Sequence, residues 1–103
     1  MTASLPLFSF PDDPIWNEAL QAVEMKLVLG EYEAAVYVPL RVIQAQLGRR
    51  PSPEEALAAV FQGQALFQQA ARNRVTDRAI DPDGQVHLTA RDLARARAAL
   101  SGD

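Results

Sequence analysis

The chain predicts an α+β fold, a small and mainly antiparallel sheet (a hairpin plus one or two short strands) packed against two or three helices. Three observations carry that prediction. Two adjacent runs between Val23 and Val38 alternate apolar with other residues at period two, as half-buried strands do. The stretch "SPEEALAAVFQ" opens with a helix cap and continues with apolar residues at helical spacing. Finally, "DPDGQVHLTARDL" compresses a turn, a short strand and a second helix cap into thirteen residues.

Taken in order, a short strand is expected from Leu7 to Phe10, stopped by Pro11 and Pro14, which cannot donate to a ladder. In the first long run Val23, Met25, Leu27 and Leu29 share one face while Glu24 and Lys26 share the other. In the second, Tyr32, Ala34, Val36 and Val38 alternate with Glu33, Ala35 and Tyr37. Gly30 and Glu31 lie between, and Gly30 supplies the positive φ of a tight hairpin turn. Pro39 suits the first turn of a helix, where its missing N–H is not needed, and Leu40, Ile43 and Leu47 fall on one side of that helix. Gly48 ends it as a left-handed cap.

Ser52, Pro53 and Glu55 form the strongest local signal: N-cap, first helical residue and return partner of a capping box. The helix they start is expected to run to about Arg78, with Leu57, Val60, Phe61, Phe67, Ala70, Ala71 and Val75 on its apolar side and Gly63 in its middle. Asp81, Pro82, Asp83 and Gly84 make a turn, Val86 and Leu88 face the core from a short strand, and His87 faces away. Thr89 and Asp92 cap a last helix whose apolar side is Leu93, Ala96 and Leu100.

A length of 103 residues is that of one domain, 1–103, and 49% hydrophobic with 22% charged residues is ordinary globular composition. The chain has no cysteine, which excludes disulfides, zinc–thiolate sites, iron–sulfur clusters and a thiol nucleophile, and fits a reducing compartment. Its start lacks the basic residues and long apolar run of a secretory signal, and no stretch approaches the ~20 apolar residues of a membrane span. A cytoplasmic location is expected. Residues 1–40 carry six acids and one base, net −5, and residues 41–103 nine arginines and seven acids, net +2. That is far from the dense basic face of a nucleic-acid binder.

Little chemistry is legible. His87 is the only histidine and has neither the spaced ligands of a metal site nor a partnered nucleophile. Asp12–Asp13 and Asp81/Asp83 lack the pattern of a calcium loop, and turn formation explains them. The five glycines are scattered, so no phosphate-cradling loop exists, and Glu54 with Glu55 marks a helix start rather than an acid/base pair. No catalytic residue, cofactor or metal ligand is therefore assigned. The arginines offer one alternative. Arg72, Arg74 and Arg78 close the long helix while Arg91 and Arg95 sit one turn apart on the last, and together they would bind phosphates weakly if they converged on a free surface. The competing reading pairs them with Asp77 and Asp92 on a solvated face.

"FPDDPIW", the hairpin with "AVEM", the helix ending "QLG", "SPEEALAAVFQ" and "DPDGQVHLTARDL", in this order from Phe10 to Leu93, resemble the small bacterial proteins of domain of unknown function family 1488. The resemblance implies an α+β fold and brings no activity or catalytic residues with it. The function expected is non-enzymatic, that of an accessory or regulatory domain binding a protein partner or a second copy of itself. The motive is that a small sheet leaves edges open to pairing with another chain.

Overall fold

The computed structural model describes residues 8–101, an α+β arrangement of five strands and four helices among them. The strands are β1 (Phe8–Ser9), β2 (Ile15–Asn17), β3 (Ala22–Leu29), β4 (Tyr32–Pro39) and β5 (Val86–His87). The helices are α1 (Leu40–Leu47), α2 (Pro53–Gln62), α3 (Gln64–Thr76) and α4 (Ala90–Leu100). The hairpin β3–β4 is the spine, in the register Val23 opposite Val38 through Leu29 opposite Tyr32. Gly30 takes φ +62° at its turn. β1 and β2 both pair antiparallel with β3 along one edge, at its two ends, and β5 lies parallel to β4 on the other. Leu7, the first residue of the expected N-terminal strand, lies outside the described residues.

Period two decides which side of the sheet is buried. Val23, Met25 and Leu27 from β3, Ala34, Val36 and Val38 from β4 and Val86 from β5 are buried, and all but Ala34 join one cluster with Val42, Ile43, Val60, Phe67, Ala70, Leu93 and Ala96 from the four helices. Among the described residues no polar or charged residue is buried in that core, so apolar burial at about 25 cal/mol per Å2 is its main favourable term.

Several expectations change in the structure. β2 was not legible as a strand, because three residues between Pro14 and a turn are too short to show a period. Pro39 ends β4 and caps α1 with an extended backbone (ψ 148°) instead of occupying the first helical turn. The single helix expected from Pro53 to Arg78 is two: Gly63, at φ −103° and ψ 29°, closes α2 and opens α3. A Cβ on Gly63 would lie 3.2 Å from the Phe67 ring and 3.3 Å from the Ala59 carbonyl, so glycine allows the break to pack tightly. Leu47, Phe61 and Leu100, assigned to apolar helix faces, are exposed, each within a residue of the C-terminal end of its helix.

The caps form as the sequence requires. Glu55 N–H donates to Ser52 Oγ at 3.1 Å while Ser52 N–H donates to Glu55 Oε1 at 2.9 Å. Arg49 adds a two-point contact, 3.0 and 2.9 Å, to the Glu55 carboxylate. These hydrogen bonds, the Arg49 contact foremost, hold the Glu55 pKa down at about 2. Thr89 and Asp92 form the equivalent box on α4. α3 ends in a Schellman motif: Ala79 N–H donates to Arg74 O at 2.8 Å and Arg78 N–H to Val75 O at 3.0 Å. Arg78 holds the left-handed position at φ +59°, where glycine is usual.

Candidate functional site

The arginines proposed for nucleic acid are largely committed within the fold. Arg74 reaches from α3 across the outer edge of β5: Nε donates to Ala79 O at 2.7 Å, Nη1 to His87 O at 2.9 Å and to Asp92 Oδ2 at 2.8 Å, and Nη2 lies 3.0 Å from Asp81 Oδ1. Four of its five N–H groups are thereby engaged. Burial works against the Arg74 charge, but the hydrogen bonds and attraction of Asp92 and Asp81 outweigh it and its pKa lies above the usual value. Asp81 closes the circuit by accepting from the His87 backbone N–H at 2.7 Å. Both outward peptide groups of His87 are thus satisfied, and the β5 edge offers no free ladder position there.

Arg95 on α4 pairs with Asp77 at the end of α3, a contact that holds the Asp77 carboxyl below its usual pKa. Asp92 and Asp77 each take an arginine, Arg74 and Arg95, and both pairs join α3 to α4. Arg95 with Asp77 lies on the solvated face, whereas Arg74 with Asp92 is largely buried, at 14% and 16% exposed. The Arg72 guanidinium lies over the rings of Phe8 and Phe10, 5.9 and 6.0 Å from their centroids, and so connects α3 with the N-terminal segment around β1. Arg78 serves the α3 terminus, and Arg91 is exposed. The five do not form one free basic surface.

A different surface is left open. All four helices contribute to the cluster on one side of the sheet. On the other side Glu24, Lys26, Ala35, Tyr37 and His87 are half-buried or exposed, while Ala22 and Pro39, paired at the end next to α1, are buried. Strand register builds it in rows: Ile15, Glu24, Tyr37 and His87 lie side by side across β2, β3, β4 and β5, and Lys26 lies opposite Ala35 in the neighbouring row. Between the Asp12–Asp13 segment and Gln85 the face is hollowed into a groove of about 500 Å3, lined also by Ile15, Glu24, Lys26, Glu33 and Ala35. Such a volume lies within the range of clefts that hold a compact ligand.

The walls of the groove are fixed by specific bonds. Gln85 Oε1 accepts from Ala35 N–H at 2.6 Å, so a side chain extends the ladder just before β5 begins. Tyr32 donates to Gly84 O at 3.2 Å and Gly84 N–H to Asp81 O at 2.8 Å, which pins the Asp81–Gly84 turn beside β4. His87 Nε2 meets Asp83 Oδ2 at 2.8 Å and its ring lies 5.0 Å from that of Tyr37. The His87 contact, with the Gln85 N–H, keeps the Asp83 carboxyl below its usual pKa. Partial burial, then the charges of Glu24 and Asp83, push the Tyr37 phenol above its usual value.

Chemically, this face can hold a complementary surface but shows no reacting set. Among the described residues no hydroxyl or thiol is hydrogen-bonded to His87, and no three side chains are grouped to ligate a metal. Apart from Asp12 and Asp13, weighed as a cation-binding pair and set aside, none of the groove residues was singled out from sequence. Their signal was the polar half of the strand alternation, Glu24 and Lys26 against Glu33 and Tyr37, which names a face but not what covers it.

The fold is similar to that of a solved structure, a protein of unknown function from the DUF1488 family of Shewanella loihica PV-4, with a TM-score of 0.70 at 18% identity, covering 79% of this chain and 90% of that one. The likeness supports in fold the resemblance seen along the sequence. No protein-family profile matches the chain, and no curated protein does. Among the described residues no helix is long and apolar enough to cross a membrane.

Proposed function

We propose that this chain is a non-enzymatic protein-interaction module, an accessory or regulatory domain of the cytoplasm, and that its partner contacts the open face of the sheet. The observation that carries this reading is the one-sided packing: the helices cover one face and leave the row Ile15, Glu24, Tyr37 and His87 uncovered among the described residues. The edges are poorer candidates than the sequence suggested. The His87 peptide is bonded to Asp81 and Arg74, and the opposite edge is made of strands of two and three residues separated by Pro11 and Pro14. Ile15 is 55% exposed in the groove lining, an apolar contact point beside Glu24.

A photo-crosslinking amino acid placed at position 35, on the groove floor, tests the reading in the cells that make the protein, with position 94 on α4 as the remote control. A discrete protein adduct formed from position 35 and absent from position 94 is the expected result. Equal labelling from both positions, or none from position 35, refutes the reading.

A further inference from the structure

We infer that the occupant of the groove is a basic segment of a partner protein, carrying Lys or Arg beside an aliphatic side chain. The inference rests on the interaction reading above and names the partner's chemistry. Four carboxylates line the groove, Asp12, Asp13, Glu24 and Glu33, against one ammonium, Lys26. Lys26 lies 3.4 Å from Glu33 and so is already matched. Asp12, Asp13 and Glu24 have no cationic partner among the described residues, Glu24 accepting only from the Asn17 amide at 3.0 Å. The surface thus carries about three uncompensated negative charges over a single concavity, where field lines concentrate and cationic groups are drawn in. Ile15 and Ala35 add two apolar contact points within the same groove, beside Glu24 and Lys26 respectively, which favours an aliphatic neighbour of the cation.

The same charges argue against other occupants. A second copy joined through this face by a two-fold axis would set carboxylates against carboxylates, and like charges across an interface are unfavourable. A nucleic acid would bring phosphates to the acidic side of the molecule. A bound metal ion has no ligand set among the described residues. A cationic peptide segment with an aliphatic neighbour matches the three free carboxylates and the apolar contacts of Ile15 and Ala35 together.

The test uses the full chain and a series of synthetic twelve-residue peptides of matched apolar content, with net charge from −4 to +4. Binding is followed by backbone amide shifts and by titration at two salt concentrations. The positive peptides are expected to bind, to shift Glu24, Lys26 and Ala35, and to weaken as salt rises. Asp12→Asn with Asp13→Asn, both at exposed loop positions, should reduce their affinity roughly tenfold, two charge contacts of about 0.7 kcal/mol each. Equal binding by positive and negative peptides at the groove overturns the inference while leaving the docking face in place. Absence of binding by the positive set at low salt, or shifts confined to α3 and α4, overturns it too. Failure of the position-35 crosslink is separate and removes the docking reading itself.

Discussion

Replacing Arg74 with Met removes the guanidinium while keeping most of the aliphatic stem, and the structure sets the size of the loss. The Arg74 side chain is 14% exposed, and it contacts Asp92 and Asp81, 16% and 30% exposed, as well as the carbonyls of Ala79 and His87. Breaking a buried ion pair from one side costs about 3–5 kcal/mol, because the remaining charge is left in a poorly solvated place. Here Asp92 keeps the Thr89 N–H and Asp81 keeps the His87 N–H, and both carboxylates retain some water. The expected loss therefore sits at the low end, about 3 kcal/mol. Against a total stability of roughly 5–15 kcal/mol this is a large fraction, and it corresponds to a fall in Tm of roughly 15 °C for a chain of this size. Urea unfolding followed by circular dichroism measures it. Native-state hydrogen exchange should show the extra opening at β5 and α4 before the β3–β4 hairpin. Arg74→Lys should recover less than half, since one ammonium cannot reach four acceptors in the directions the guanidinium does. A loss under about 1 kcal/mol for Arg74→Met, or full recovery with Lys, would refute the claim that this network clamps β5 and α4 to α3.

Three further outcomes follow from the same geometry. Arg78→Gly relieves a left-handed backbone at φ +59° and should stabilise by roughly 0.5–1 kcal/mol, seen as a rise in Tm; a fall would mean that the Arg78 side chain holds something in place. Glu55 has a folded pKa of about 2, below its unfolded value, so its contribution is present above pH ~4.5 and lost as pH falls through the folded pKa. Acid titrations of the native chain and of Glu55→Gln should therefore diverge above that window and converge below it. In a Tyr32→Phe background, absorbance titration should find Tyr37 ionising above 10, and Glu24→Gln should bring it down, because burial and the Glu24 and Asp83 charges all oppose the phenolate; an unchanged midpoint in Glu24→Gln would remove Glu24 from the open-face electrostatics.

Much of the candidate site lay in the sequence as a pattern without a meaning. Glu24 and Lys26 against Glu33, Ala35 and Tyr37 were visible as the alternate face of a hairpin, but whether that face meets water or a second layer depends on where the helices go. The arginines show the converse. Read along the chain they formed a group, and in space they are spent apart: Arg74 at the β5 edge, Arg72 over two phenylalanine rings, Arg95 with Asp77 on the surface.

Local sequence by itself determined the hairpin with its turn at Gly30, both capping boxes, the left-handed end at Gly48 and the Asp81–Gly84 turn. Each is specified by residues within a few positions of one another, through φ restrictions and short-range hydrogen bonds that need no distant partner. Only the tertiary structure decided the strand order, the parallel docking of β5 on β4, the break at Gly63, the closing of the β5 edge by Arg74 and Asp81, and the side of the sheet left open. Those features join residues up to about fifty positions apart, such as Val36 with Val86, and are set by which apolar faces can be buried together.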